Sequence, residues 1–160
     1  MSASALVTVS NRDGVYFVEG ILDEHSPPVL NDLADRIGKA PQATLDTGGV
    51  KRINSLGVRA WVEFMKKLAG KQVGFRRCSP AFVDQLNSIS EFRGGAKIES
   101  FLAPYVCESS GAVFYEELTV GKDIKKGDFA ALNGRPCKVC PKPLVFDDLP
   151  ERYLLFLDHV

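Results

Sequence analysis

The chain has 160 residues, 45% of them hydrophobic and 25% charged, with twenty Lys and Arg against twenty Asp and Glu. That length suits one domain, or one domain with a small appendage, and can bury a core without covalent staples. The cancelled charge removes any compositional case for nucleic acid or a membrane surface as partner, and no apolar run approaches the roughly 18 residues of a membrane span.

In chain order, Met1 to Ala5 lacks a basic segment followed by a long apolar stretch, so no signal peptide and a cytoplasmic location are expected. Residues 5–9 and 15–18 read as strands around Asn11-Arg12-Asp13-Gly14, a hairpin signal in which Asp-Gly supplies the positive φ of a tight turn. Gly20-Ile21-Leu22-Asp23-Glu24-His25 reads as a loop into a helix that Ser26 caps and Pro27 and Pro28 begin. Val29, Leu30, Leu33, Ala34 and Ile37 form its apolar stripe, and Gly38 ends it. Residues 43–47 read as a strand that Gly48-Gly49 breaks.

A second helix starts at Asn54-Ser55 and runs to Gly70 with Leu56, Ala60, Trp61, Phe64, Met65 and Leu68 at helical spacing. Residues 72–76 are a short strand. Ser79-Pro80 opens a third helix with Phe82, Val83, Leu86 and Ile89 on one stripe, and residues 97–102 read as a last strand. The order β-β-α-β-α-β-α-β predicts an α/β fold with a mostly parallel sheet and an antiparallel edge hairpin. After about Pro104 the helical periodicity stops. Residues 112–118 and 129–132 read as strands, and Asp148-Leu149-Pro150 opens a closing helix with Tyr153, Leu154, Phe156 and Leu157. The expected division is 1–103 for the α/β domain and 104–160 for a small β-rich appendage ending in a helix.

Two motifs are similar to those of the STAS domain of bacterial anti-sigma factor antagonists. Gly20-Ile21-Leu22-Asp23 resembles that family's Gly-Glu-Leu-Asp loop before the first helix. Asn54-Ser55-Leu56-Gly57 resembles its Asp-Ser-Ser/Thr-Gly at the start of the second helix. The resemblance spans roughly residues 5–102. It implies a bacterial signalling module that binds protein and is not an enzyme. Its partner would be an anti-sigma factor that is also a serine kinase, and a serine phosphatase would reset the switch. Ser55 is then the phosphoacceptor, and Asp23, Asn54, Ser55, Leu56 and Gly57 form the docking face. Asn54 replaces the family's aspartate, Leu56 its second hydroxyl and Ile21 its glutamate. Asn and Ser are also favoured helix caps worth about 1 kcal/mol over alanine, so capping alone is a second reading of the pair. A scaffold that is never phosphorylated, acting constitutively in a larger assembly through its tail, is the alternative function.

The tail carries Cys137-Lys138-Val139-Cys140 between prolines and, upstream, Cys107-Glu108-Ser109-Ser110. Four cysteines without a secretion signal suggest reduced thiols or metal ligands. Two C-x-x-C turns build the tetrahedron of a zinc ribbon, so Cys107, Cys137 and Cys140 read as a ribbon that has lost one ligand to Ser110. Zn²⁺ is the cofactor such a site would take. Cys78, His159, Asp147 or water would complete it, and a metal-free tail held by packing is the other reading. A redox pair is disfavoured because Cys140-Pro141-Lys142-Pro143 opens no long helix. His25 and His159 are the only histidines and form no triad with a nucleophile. Neither Gly48-Gly49 nor Gly94-Gly95 precedes the Lys-Ser/Thr of a phosphate loop.

Overall fold

The computed structural model describes residues 6–159, with His159 described by its backbone alone. Ala5 and the rest of the expected N-terminal segment lie outside them. The elements are β1 (Thr8–Arg12), β2 (Val15–Leu22), α1 (Pro27–Ile37), β3 (Gln42–Ile53), α2 (Ser55–Lys67), β4 (Gln72–Arg76), α3 (Pro80–Ser88), α4 (Ser90–Arg93) and β5 (Lys97–Ile98). There follow β6 (Ser100–Val106), β7 (Val113–Thr119), a 3-10 turn at Phe129–Leu132, β8 (Val145–Phe146), α5 (Pro150–Tyr153) and a 3-10 turn at Leu155–His159.

The first five strands form one sheet in the order β1-β2-β3-β4-β5. β1 pairs antiparallel with β2, and every other neighbouring pair is parallel. This is the expected mostly parallel sheet with its edge hairpin. The hairpin turn is Asp13-Gly14, with φ of 53° and 82°, the two positive angles of a type I′ connection. A second, antiparallel sheet runs β7-β6-β8.

The two sheets meet just past β4. Cys78 bridges Phe101 in parallel, its N–H donates to the Ser100 carbonyl at 3.2 Å, and Leu102 N–H returns to the Cys78 carbonyl at 2.9 Å. Residues 97–102 are therefore two strands rather than one. Glu99 passes the chain between the sheets: its N–H donates to Phe75 in β4, and its carbonyl accepts from Val120. Side chains reinforce the junction. Ser100, buried, accepts from Arg77 N–H and donates to Glu117, while the Arg77 guanidinium lies 3.5 Å from buried Asp46.

The core is aromatic. Trp61 from α2 packs on Phe64, Phe75, Phe82 and Phe92, with ring centroids at 5.1, 5.9, 5.2 and 5.8 Å respectively. Its indole N–H donates to the Phe92 carbonyl at 3.1 Å, so the polar edge of the ring is satisfied inside the core.

Four local expectations are corrected. β3 does not stop at Gly48-Gly49 but runs on to Ile53. Those glycines are places of close approach: a Cβ at Gly48 would lie 2.7 Å from the Arg77 guanidinium, and one at Gly49 would lie 2.6 Å from the Glu19 side chain. Gly20 to Leu22 is the end of β2 rather than a loop, with Gly20 at φ 106° against the Leu6 carbonyl. Residues 129–132 form a 3-10 turn rather than a strand: only Leu132 is fully buried, and its carbonyl accepts from the Tyr105 hydroxyl at 2.7 Å. The closing helix is one α-turn followed by a 3-10 turn, and it docks as expected through buried Tyr153, Leu154, Phe156 and Leu157.

Asn87 clamps this C-terminal segment to α3. Its amide donates to the Arg152 and Tyr153 carbonyls and its oxygen accepts from Phe156 N–H at 2.8 Å.

Candidate functional site

The two motifs are brought together at one end of the parallel sheet. β2 ends at Leu22 and β3 ends at Ile53, which are paired with each other. Each strand then turns directly into its helix. Asn54 N–H donates to the Leu22 carbonyl at 3.1 Å, so the start of α2 is tied to the start of the β2–α1 turn. Gly57 completes the contact. A Cβ there would stand 2.0 Å from the Leu22 carbonyl oxygen and 2.9 Å from Asp23 N, so only glycine lets the helix approach this closely.

Capping and exposure divide the Asn-Ser pair. Asn54 is the N-cap: its Oδ1 accepts from Gly57 N–H at 2.8 Å. Ser55 is the first helical residue and is exposed, as is Leu56 at 48%. With Asn54 and Gly57 N–H groups engaged, the Ser55 and Leu56 N–H groups are the donors left at the positive end of the helix.

The β2–α1 turn holds itself through side chains. Asp23, half-buried, accepts from His25 N–H at 2.9 Å. Ser26 stands at the helix start as expected, but its buried hydroxyl accepts from Asp23 N–H at 2.9 Å instead of capping α1. Glu24 was not a candidate from sequence, since a lone carboxylate in a loop carries no signal. Here its Oε1 accepts from the Asn54 amide at 3.3 Å. Its own backbone N–H, followed by that amide, holds the Glu24 carboxyl below its usual range.

Beside this point a groove of about 370 Å³ runs between α1 and α2. Leu30 and Ala60 lie buried in its floor, exposed Leu56 forms its mouth, and Arg59 and Glu63 stand along it. Lys67 donates to Asn31 across the far end. Arg59 is exposed at i+4 from Ser55, one turn along the same helix face. Lys51 lines a separate depression with Gly48, Ser79 and Pro80.

The second cluster sits at one end of the antiparallel sheet. Residues 107–112 form the β6–β7 turn, closed by Gly111 N–H to the Cys107 carbonyl at 2.7 Å and Cys107 N–H to Ala112 at 2.8 Å. The Cys137–Cys140 turn lies in the loop before β8, pinned where Pro136 bridges Pro143 and Leu144 N–H donates to Arg135. Because β8 pairs with β6, both turns arrive together: the sulfurs of Cys107, Cys137 and Cys140 all lie within 4.8 Å of one another. The Ser110 hydroxyl and N–H beside it hold the Cys107 thiol down at about 6. Neither Cys78 nor Asp147 belongs to this cluster, and the His159 side chain lies outside the described residues.

Cys78 is fully buried at the junction of the sheets, and burial pushes its thiol up to about 12. Only the thiolate is nucleophilic, so Cys78 is expected to be inert in the native protein. With iodoacetamide and a chelator at pH near 8, peptide mapping should find Cys137 and Cys140 alkylated well before Cys78. Equal native labelling of Cys78 would show that its site opens readily.

No family model matches the sequence, and no curated protein matches it. The structure is similar to the crystal structure of an anti-sigma factor antagonist from Mycobacterium paratuberculosis, with a TM-score of 0.46 and 21% sequence identity. The match covers 61% of this chain and 89% of that one. Among the described residues, no helix is long and apolar enough to cross a membrane.

Proposed function

We propose that this chain is a protein-binding signalling module of the anti-sigma factor antagonist kind, and that a serine kinase and a phosphatase control its binding through Ser55. The observation that carries the reading is the exposed Ser55-Leu56 step at the N-terminus of α2, beside the Asp23 turn and at the mouth of the α1–α2 groove. Asn54 already serves as the cap, so the Ser55 hydroxyl is not needed to hold the helix.

A phosphate on Ser55 adds about −1.5 to −2 charge. The helix end accepts that charge inside the fold, through the free N–H groups and the nearby Arg59. The same charge would stand against any partner resting on Leu56. The switch therefore acts on the interface and leaves the domain folded. Asp23, Asn54 and Gly57 shape the face, and Leu56 supplies its apolar contact.

The test is titration calorimetry against a serine-kinase anti-sigma factor. Wild type and Ser55→Ala should bind alike, and Ser55→Asp should bind about tenfold more weakly or worse, a loss of about 1.4 kcal/mol. Incubation with the kinase and ATP should label wild type and not Ser55→Ala. Equal affinity in all three proteins, with no labelling, removes the switch. That result leaves the second reading, a constitutive scaffold acting through its tail, which the apolar Leu56 in place of a second hydroxyl favours.

A further inference from the structure

We propose that the tail holds one zinc ion on the thiolates of Cys107, Cys137 and Cys140, with an oxygen ligand on the Ser110 side of the tetrahedron, and that this ion pins the loop between β7 and β8 to the β6–β7 turn.

Geometry carries the assignment. Zinc binds thiolates at about 2.3 Å, so two sulfurs of a tetrahedral site stand about 3.8 Å apart. The Cys107 and Cys140 sulfurs are 3.6 Å apart, and Cys137 completes a triangle whose edges are all within 4.8 Å. The second turn also has the hydrogen bond that a thiolate ligand needs to spread its charge: Val139 N–H points to the Cys137 sulfur at 3.5 Å. Three soft sulfurs select zinc over magnesium or calcium, which take oxygen.

The surrounding chain has reason to need the ion. Between β7 and β8 the only regular element among the described residues is the 3-10 turn at Phe129–Leu132, and β8 itself has two residues. Val139, in the middle of the C-x-x-C turn, is 61% exposed, so its side chain adds nothing to the packing of that turn, which rests on half-buried Cys137 and Cys140. Small units with little core are stabilised by cross-links or a metal. A zinc ion joining Cys107 to Cys137 and Cys140 ties the later part of this long loop to the β6–β7 turn. Ser110 occupies the position at which a fourth cysteine would close a ribbon, so the last ligand is its hydroxyl or a water held beside it.

The test uses the full chain, reduced and freed of metal with a chelator, then titrated with Co²⁺ and with Zn²⁺. Wild type should take up about one equivalent, with a thiolate-to-cobalt charge-transfer band and the visible bands of a tetrahedral ion. Cys137→Ser and Cys140→Ser should lose the charge-transfer intensity stepwise while Trp61 fluorescence reports an intact α/β domain. Cys78→Ser should bind as wild type does. Ser110→Cys should bind too, with its visible bands shifted toward those of a four-thiolate site. No cobalt uptake by reduced wild type, uptake by Ser110→Cys alone, or a Cys107–Cys140 disulfide as the stable form with no metal bound after reduction each overturns the proposal. So does a Cys137→Ser protein whose spectrum equals that of wild type.

Discussion

Trp61→Ala should cost about 3–5 kcal/mol, the range for deleting a fully buried large aromatic side chain. The indole is 0% exposed and is the hub of the aromatic core, touching rings from α2, β4, α3 and α4. Three of these four neighbours are themselves held by another ring and cannot readily collapse into the space: Phe75 on Phe82 at 5.1 Å, and Phe82 on Phe92 at 4.9 Å. Trp61→Phe separates two parts of the loss. It keeps most of the apolar volume but removes the donor to the Phe92 carbonyl, leaving a buried acceptor without its partner at a cost of about 1–3 kcal/mol. Urea denaturation followed by circular dichroism gives both numbers. A native stability of 5–15 kcal/mol is typical, so Trp61→Ala should be left with only about 0–2 kcal/mol if the domain lies at the low end. A loss under about 1 kcal/mol for Trp61→Ala would mean that the aromatic cluster does not organise the fold.

The features legible in the sequence are those set by local chemistry. Asp13-Gly14 announces its turn because two positive φ angles are needed there. The start of α2 is legible because Asn54 can cap and the apolar positions from Ala60 to Leu68 keep helical spacing. Trp61, Phe64 and Met65 were expected in the core on that spacing alone, and they are buried. What stayed hidden depends on neighbours distant in sequence. Gly48-Gly49 looks like a strand breaker by itself. Only the presence of Arg77 and Glu19 against it explains why a strand runs through glycine. Asn87 carries no local mark, yet it holds the C-terminal segment by three hydrogen bonds to residues far along the chain. Glu24 likewise joins the site only because β2 and β3 end side by side and bring it to Asn54. For the tail, the C-x-x-C spacing was visible. Cys107 groups with it on ribbon-like spacing; what the sequence does not show is the antiparallel pairing of β8 with β6 beside them, which a two-residue strand does not advertise.

Gly57→Ala is expected to destabilise the chain by about 2–3 kcal/mol, against the sign that helix propensity predicts. Within a helix, alanine exceeds glycine by about 1 kcal/mol, and Gly57 lies in the first turn of a regular helix. Opposing that gain, the added Cβ would lie 2.0 Å from the Leu22 carbonyl oxygen and 2.3 Å from its carbon. Both atoms are backbone, so no rotamer change relieves the overlap. The start of α2 must instead move away from β2. That motion stretches the Asn54 N–H bond to the same Leu22 carbonyl and disturbs the Asn54 cap on Gly57 N–H. Gly95→Ala is the matched control. Nothing lies within 4 Å of a Cβ there and its φ is not in the left-handed region, so it should be neutral or gain a few tenths of a kcal/mol. The comparison also reaches function. If Ser55 and Leu56 form the docking face, Gly57→Ala displaces them together and should weaken partner binding even at temperatures where the variant remains folded. Gly57→Ala as stable as wild type would show that α2 does not sit hard against Leu22. The two motifs would then be neighbours in space without the close contact that makes them one surface.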